Sequence, residues 1–199
     1  ETFDVVVKDR ICFDAGASTG GFTDCMLQNG AKFVYAVDVG YGQLDWKIRS
    51  DERVKTIERT NLKNCAFEEI YSENEPIADL LVSDLSFISL TKVLPNLKNL
   101  LSPDFHEMIL LIKPQFEAGK EKVEKGGVVR DKKVHQEVIE NVINCAKELN
   151  YSINDLTFSS IKGPSGNIEY LIWLSSHNEN KATLDIKNIV ETAFEILNK

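Results

Sequence analysis

The feature that most constrains this chain is a regular alternation of short apolar runs with helix-like segments. The apolar runs are RICFD, KFVYAVDV, VKTIE, ADLLVSD and EMILLIK. Within two of them, ADLLV and MILLI are apolar throughout instead of alternating with polar residues, as expected of central strands covered on both faces. The alternation predicts an α/β fold, in which helices cover both faces of a largely parallel sheet.

The last third of the chain follows a different pattern. Two adjacent strand-like runs, YSINDLTFSSI and NIEYLIWLSS, are joined by the loop KGPSGN. Strands with so short a link pair antiparallel, so we predict a seven-stranded mixed sheet that ends in an antiparallel hairpin. A final helix should pack one apolar face on the core. Residues 1–199 are expected to form one domain.

Composition excludes several classes of protein. The net charge of −8 argues against a surface that is basic all over, so any contact with nucleic acid must be local. The longest apolar run, MILLI, is far shorter than the roughly 20 residues that span a bilayer. The cysteines form no C-x-x-C pair, which argues against a metal site and a disulfide framework. We therefore expect a cytoplasmic protein without a membrane partner.

A glycine-rich turn, DAGASTGGFTD from Asp14 to Asp24, follows the first apolar run. The order strand, glycine turn, helix brings a ligand close to backbone N–H groups. A phosphate-binding P-loop would continue with lysine, whereas Phe22 and Thr23 follow here. A dinucleotide fingerprint would place glycine where Ser18 stands. The turn therefore favours a ligand without phosphates.

Carboxylates follow the first two predicted strands. Asp14 ends the first strand and Asp38 the second, close to the spacing of about 20 residues at which a carboxylate takes ribose hydroxyls. A ligand with a ribose, a cationic sulfur and an amino-acid tail, namely S-adenosylmethionine, suits such a loop. The alternative is that Asp14 only caps the following helix.

Several segments together resemble the TlyA family, often labelled haemolysin A, whose catalytic domain is similar to the FtsJ/RrmJ ribose methyltransferases. They are DAGASTGGFTD, AVDVGYGQL, ERTN, LVSDLSFISL, LIKPQFEAGK, GGVVRD and GPSGNIEYLIWL. The resemblance covers nearly the whole chain and implies a Rossmann-like fold that uses S-adenosylmethionine to methylate ribose 2′-hydroxyls of ribosomal RNA. The expected partner is ribosomal RNA or a ribosomal subunit. An S4-like RNA-binding domain is expected upstream of Glu1.

The resemblance also implies which residues bind the cofactor. The glycine turn would approach the methionine part, Asp38 would bind the ribose hydroxyls and Asn61 would lie near the adenine. Asn61 could equally cap a helix. The predicted cofactor residues are Asp14, Gly16, Ala17, Ser18, Thr19, Gly20, Gly21, Phe22, Asp38, Asn61 and Asp84.

Three ionisable residues stand at the ends of predicted strands. Asp84 and Lys113 end their strands, and Glu169 opens an antiparallel one. All three should lie at one edge of the sheet, as a catalytic group or as a structural ion-pair network. They match the last three members of the family's Lys-Asp-Lys-Glu tetrad, whose first lysine is expected upstream of Glu1. Lys113 would act either as a general base or by stabilising an emerging alkoxide.

The loop from Glu117 to Lys133 is rich in charge and is a candidate RNA contact through Lys120, Lys122, Lys125 and Arg130. Its interspersed acids, including Glu117, are equally compatible with a solvated loop. Phe87 and Phe116 are candidates for stacking on a flipped nucleotide, although core packing is the favoured interpretation of both.

Three alternative functions remain open at this stage. The haemolysin label suggests a membrane-lytic protein, which should have a long apolar or strongly amphipathic segment. The missing first lysine suggests a non-catalytic module that binds S-adenosylmethionine or RNA. A small-molecule O-methyltransferase would turn over without RNA.

Overall fold

The computed structural model describes residues 2–177 and 183–198. Its strands are β1 (Ile11–Ala15), β2 (Phe33–Val37), β3 (Val54–Ile57), β4 (Leu80–Ser83), β5 (Glu107–Ile112), β6 (Ser152–Phe158) and β7 (Tyr170–Ser175). Its α-helices are α1 (Gly21–Gln28), α2 (Trp46–Arg49), α3 (Phe67–Ile70), α4 (Leu90–Asn99), α5 (Pro114–Glu117), α6 (Lys132–Glu148) and α7 (Ile186–Leu197), and a 3₁₀ turn spans Lys120–Lys122.

The strands form one seven-stranded sheet in the order β3-β2-β1-β4-β5-β7-β6. β1 pairs parallel with β2 and with β4, and β2 pairs parallel with β3. β6 and β7 pair antiparallel. The predicted mixed sheet with an antiparallel C-terminal hairpin is therefore confirmed. All four residues of β4 are buried, as expected of a strand covered on both faces.

The chain divides into two compact units, of which the first comprises Glu1–Leu85 and Val93–Ile109. In this unit Met26 and Leu27 of α1 pack against Cys12, Val34 and Leu80 of the sheet. This packing fixes α1 on β1 and β2. The turn that joins β1 to α1 is thereby held at the carboxyl ends of the parallel strands.

The second unit comprises Ser86–Lys92 and Leu110–Lys199. Helix α6 buries one face, which consists of Val134, His135, Val138, Ile139, Val142, Ile143 and Ala146. His135 Nε2 lies 2.9 Å from the carbonyl oxygen of Val129 and Nδ1 lies 2.9 Å from the Tyr170 hydroxyl. Because a carbonyl only accepts, Nε2 carries the proton. Burial lowers the pKa of His135, so this neutral form is favoured.

Several local elements of the structure differ from the sequence predictions. The helix-like segment between the second and third apolar runs, QLDWKIRS, forms only the single turn of α2, which Asp45 caps by accepting a 2.8 Å hydrogen bond from the Lys47 N–H. The polar segment after β3 contains the short helix α3. The loop after β5 contains α5, the 3₁₀ turn and one isolated bridge between Glu124 and Val128.

Candidate active site

The turn between β1 and α1 is closely packed. Gly16, Ser18 and Gly20 all have positive φ, at 89°, 48° and 101°. A Cβ atom on Gly16 would lie 2.9 Å from the carbonyl oxygen of Asp84, and one on Gly20 would lie 2.5 Å from Cδ1 of Ile48. Only glycine therefore fits at these two positions.

The carboxylate of Asp38 lies against this turn at the end of β2. Its Oδ2 accepts a 2.8 Å hydrogen bond from the Ser18 N–H, and its Oδ1 accepts a 2.7 Å hydrogen bond from the Gly40 N–H. A carboxylate offers about four acceptor sites, so Asp38 can still accept from a ligand. The predicted approach of Asp38 to the glycine turn is present in the structure.

Asp14 is almost completely buried at the end of β1. Its Oδ2 accepts a 2.6 Å hydrogen bond from Thr23 Oγ1 in the first turn of α1, a side-chain contact with the helix whose N-cap position is Gly20. Its Oδ1 is buried and has no hydrogen-bond partner within the described part of the chain. Burial is the main cause that raises the pKa of Asp14 to about 6, and the negative charges of Asp84 and Asp38 add to it.

The burial and negative charge of these carboxylates indicate which kind of ligand the first unit can bind. Asp14, Asp38 and Asp84 are close enough for the charges of the latter two to raise the pKa of the first. A group of carboxylates attracts a cation and repels a phosphate. The buried Oδ1 of Asp14 also lacks a donor. The residues present therefore fit a cationic nucleoside better than a nucleotide.

The other predicted cofactor residues differ in what their side chains can contact. Ala17 is buried with Ala36 and Leu44, and Phe22 packs half-buried against the core beneath α1. Both therefore offer mainly backbone to a ligand. Thr19 is exposed, and the first residue of α1, Gly21, has open space where a Cβ would stand.

Asn61 caps a turn after β3. Its Oδ1 accepts a 3.0 Å hydrogen bond from the Lys63 N–H, and its side chain is exposed. The capping alternative is therefore present, at a turn instead of a helix. Its contact with adenine stays a prediction.

Two clefts of the first unit include residues that were predicted to bind the cofactor. One of about 630 Å³ lies between α1 and α2 and shares with the predicted site only Thr19, Gly20 and Gly21. A smaller pocket is lined by Ala17, Ser18, Ala36, Asp38, Gly40, Gln43, Leu44, Thr56 and Glu58. The smaller pocket contains the predicted cofactor residues Ala17, Ser18 and Asp38.

The second unit holds Lys113 directly after β5. Its Nζ donates a 3.0 Å hydrogen bond to Ser86 Oγ and lies 5.9 Å from the centroid of the Phe116 ring. The Phe87 ring lies 5.0 Å from that of Phe116. Phe87 is 90% exposed and has a φ of 65°. The expectation that Phe87 packs in the core is therefore wrong: its ring is exposed and contacts the ring of Phe116.

Glu117 has a structural role that the sequence did not predict. Its carboxylate accepts 2.6 Å hydrogen bonds from Ser89 Oγ and from the Leu90 N–H at the start of α4. Burial raises the pKa of Glu117. This carboxylate faces inward, so grouping Glu117 with the solvated acids of the loop is wrong. It holds the segment that carries Phe87 against α5.

Glu169 lies immediately before β7 and is buried, with 6% of its surface exposed. Its Oε1 accepts a 2.8 Å hydrogen bond from Nε2 of Gln115 in α5. Its backbone carbonyl accepts a 2.8 Å hydrogen bond from the Ser159 N–H. Each of the predicted catalytic residues thus stands at the end of its strand: Asp84 after β4, Lys113 after β5 and Glu169 before β7.

The charged loop after β5 offers fewer free cations than its sequence suggests. Lys122 pairs with Glu137, and Arg130 pairs with Glu124. Lys120 and Lys125 are exposed. The two ion pairs fit the interpretation as a solvated loop, and the contact with RNA stays a prediction.

One exposed cluster was missed by the sequence reasoning. The Arg59 guanidinium lies 4.2 Å from the centroid of the Tyr41 ring, and Tyr41 is 68% exposed. Arg59 has a φ of 58°, and its N–H donates a 3.1 Å hydrogen bond to the Gly40 carbonyl. The available signal was an aromatic residue between two glycines, VGYGQ, directly after Asp38.

Neither a membrane-spanning helix nor a metal-binding cluster occurs in the described part of the chain. Among residues 2–177 and 183–198, no helix has the length and apolar character needed to cross a membrane. The same residues contain no group of three or more His, Cys, Asp or Glu side chains that could hold a metal ion.

Comparison with known proteins adds independent information. Residues 1–176 match the family model of the FtsJ-like methyltransferases. The chain is 46% identical to the 16S/23S rRNA (cytidine-2′-O)-methyltransferase TlyA of Mycobacterium tuberculosis, over 90% of this chain and 65% of that protein. It is also 46% identical to hemolysin A of Brachyspira hyodysenteriae, over 85% of this chain and 69% of that protein.

A solved structure is also similar to this chain. A protein from Lactococcus lactis described as a hemolysin superposes with a TM-score of 0.89 at 45% identity, covering 96% of this chain and 90% of that one. The chain spans about two thirds of the length of the two named relatives, at 65% and 69%.

Proposed function

The chain belongs to the family of FtsJ-like methyltransferases, and we propose that it transfers a methyl group from S-adenosylmethionine to a ribose 2′-hydroxyl of ribosomal RNA. The observation that carries the cofactor is the grouping of Asp14, Asp38 and Asp84 around a glycine turn without a phosphate-binding lysine. The relative from M. tuberculosis, which bears the name of a ribosomal RNA cytidine-2′-O-methyltransferase, supports the acceptor.

The cofactor end of the site is proposed to lie in the first unit. S-adenosylmethionine, when bound, supplies an electrophilic methyl group on a positively charged sulfur. Asp38, oriented by two backbone N–H groups, would accept hydrogen bonds from ribose hydroxyls. The free Oδ1 of Asp14 would accept from a cationic donor. The backbone of Gly16 and Ser18 would approach the amino-acid part.

The catalytic residues are proposed to be Asp84, Lys113 and Glu169, as the resemblance implies. A ribose hydroxyl is a poor nucleophile unless its proton is removed or its developing charge is stabilised. Lys113, whose Nζ donates a hydrogen bond to Ser86 Oγ, would orient the hydroxyl and stabilise its negative charge.

The acceptor RNA is proposed to contact exposed aromatics and cations near these strand ends. In the second unit, the exposed Phe87 ring would stack on the base of the target nucleotide. In the first unit, Tyr41 and Arg59 would contact a base and a phosphate. The loop residues Lys120 and Lys125 would add phosphate contacts, whereas Lys122 and Arg130 would first have to leave their acidic partners.

Two experiments test this function. Calorimetry with S-adenosylhomocysteine should show binding to the isolated chain. Transfer of a labelled methyl group to ribosomal RNA and to intact ribosomal subunits, followed by mapping of 2′-O-methyl nucleotides, should show the product. We propose that this occurs in the cytoplasm on an assembled ribosomal subunit. Transfer to small molecules without RNA, or leakage of liposomes without methyl transfer, would reject the proposal.

The resemblance implies a lysine and an S4-like domain that a longer protein would supply, and a comparison with such a protein tests their contribution to methyl transfer. The same assay should be run with this chain and with the relative from M. tuberculosis, of which this chain covers 65%. If only the longer protein transfers the methyl group while both bind S-adenosylhomocysteine, this chain supplies the cofactor site and the upstream part completes catalysis.

A further inference from the structure

Glu169 is held from two sides within the second unit. On one side, Nε2 of Gln115 donates a 2.8 Å hydrogen bond to Oε1. On the other side, the Cα of Gly163 approaches so closely that a Cβ atom there would lie 2.5 Å from Oε1 and 3.0 Å from the carboxyl carbon. The buried carboxylate therefore has little freedom to rotate.

The loop that carries Gly163 is itself anchored. The Gly163 N–H donates a 2.9 Å hydrogen bond to the Asn167 carbonyl, and the Gly163 carbonyl accepts a 2.8 Å hydrogen bond from the Gly166 N–H. The buried Asn167 side chain accepts a 3.0 Å hydrogen bond from the Val129 N–H and donates a 2.8 Å hydrogen bond to the Gly127 carbonyl. Gly163 is thus a fixed wall against the carboxylate.

Only one end of the Gln115 amide is hydrogen-bonded among the described residues. Its Oε1 is buried and has no hydrogen-bond partner among the described residues. An unsatisfied buried amide oxygen is unfavourable for folding. The Gln115 amide therefore donates to the Glu169 carboxylate, while its own oxygen accepts no hydrogen bond from the described residues. Gln115 lies two positions after Lys113 in the sequence.

We infer that Gln115 is a positioning residue that, together with the close approach of Gly163, orients the Glu169 carboxylate for methyl transfer. This inference rests on the proposed function. Removing the amide donor removes one of the constraints on the carboxylate and makes it gain a proton more readily, because a hydrogen bond to the charged form favours that form. Misplacement of a catalytic group by about 1 Å lowers the rate roughly 100-fold.

The first test compares Gln115→Met with wild type. Methionine has a similar length but no N–H donor. We expect kcat to fall about 10- to 100-fold, with the affinities for RNA and S-adenosylhomocysteine within a few-fold of wild type. The acid limb of the pH–rate profile should move to higher pH, and further in Gln115→Glu, where two carboxylates compete for one proton. Gln28→Met is the matched control, since Gln28 donates a 2.6 Å hydrogen bond to Asp24 on the exposed face of α1.

The second test approaches the carboxylate from the opposite side. Gly163 has an ordinary φ, so Gly163→Ala introduces a methyl group that displaces the carboxylate without straining the backbone. It should lower kcat like Gln115→Met, and because the added methyl group crowds a buried site, the unfolding temperature should fall by a few degrees. Ser165→Ala, at an exposed position in the same loop, should behave as wild type.

A measurement without turnover separates this inference from the proposed function. Carbon-13 NMR of the Glu169 side-chain carboxyl should show a titration midpoint that is higher in Gln115→Met than in wild type. An unchanged midpoint together with a wild-type pH–rate profile would overturn the inference. If the wild-type protein methylates no RNA, the proposed function fails, and the NMR comparison still decides whether Gln115 governs this carboxylate.

Discussion

The Ser18 N–H donates a 2.8 Å hydrogen bond to Oδ2 of Asp38, which ties the glycine turn after β1 to the end of β2. Ser18 adopts a left-handed φ of 48°, a conformation that aims its N–H at the carboxylate. The Gly40 N–H occupies the other carboxylate oxygen. The orientation of Asp38 is therefore set by backbone groups before a ligand arrives, which reduces the entropy lost on binding.

Asp38→Ala should weaken the binding of S-adenosylhomocysteine. Hydrogen bonds to a charged group contribute about 1.5–3 kcal/mol, so we expect a loss of roughly 10- to 100-fold in affinity. Calorimetry measures this loss directly. Asp24→Asn on the exposed side of α1 serves as the control and should bind like wild type. Wild-type affinity of Asp38→Ala would remove Asp38 from the site.

Asp14→Asn should change how stability depends on pH. Burial raises the pKa of Asp14 from 3.8 to about 6, so the native state holds this proton more tightly than the unfolded chain. The stabilisation is fully present below about pH 4 and is lost as the pH rises through about 6. The variant does not ionise and should be more stable than wild type by up to roughly 3 kcal/mol at pH 7.

Urea unfolding at several pH values between 4 and 7 measures this difference. The difference between Asp14→Asn and wild type should grow with pH and level off above pH 6, while Asp24→Asn should stay within about 1 kcal/mol of wild type throughout. A constant difference across this range would show that Asp14 keeps an ordinary pKa. The stabilised variant should nevertheless bind S-adenosylhomocysteine more weakly.

Lys113→Ala should abolish methyl transfer while leaving the affinity for S-adenosylhomocysteine within a few-fold. We expect the single-turnover rate to fall by about 10²- to 10⁴-fold, the range for loss of a proton-transfer or charge-stabilising group. Lys113→Arg distinguishes the two roles, because arginine keeps the charge but cannot act as a base at neutral pH. Lys147→Ala, at an exposed position of α6, is the control. Equal rates for Lys113→Ala and wild type would reject the catalytic role.

Phe87→Ala should weaken the use of RNA without weakening the fold. Base stacking on an aromatic ring contributes about 1–3 kcal/mol, so we expect KM for RNA to rise roughly 10-fold. Phe87→Trp should preserve activity. Because the ring is 90% exposed, truncation should hardly change the free energy of unfolding. Ile196→Ala, another exposed apolar residue, is the control, and a KM that matches it would mean that Phe87 does not stack on RNA.

The fold was predictable because its signals are local. The apolar runs ADLLV and MILLI show burial on both faces whatever their neighbours are, and the short link between the last two strands permits only antiparallel pairing. The glycine turn and Asp38 were likewise recognisable, since both follow strands of a parallel sheet. The family resemblance was confirmed by the match over residues 1–176.

Long-range contacts decided the rest. Gln115 and Glu169 are 54 positions apart in sequence, and Glu117 caps a helix 27 positions away, so no local pattern reveals either pairing. The exposure of the Phe87 ring was likewise not evident from its sequence neighbours. The sequence determined which strands form and which side chains end them, because periodicity and spacing act over a few residues. Only the tertiary structure decided which carboxylates are buried, oriented and shifted in pKa, because burial and hydrogen bonding depend on segments brought together by folding.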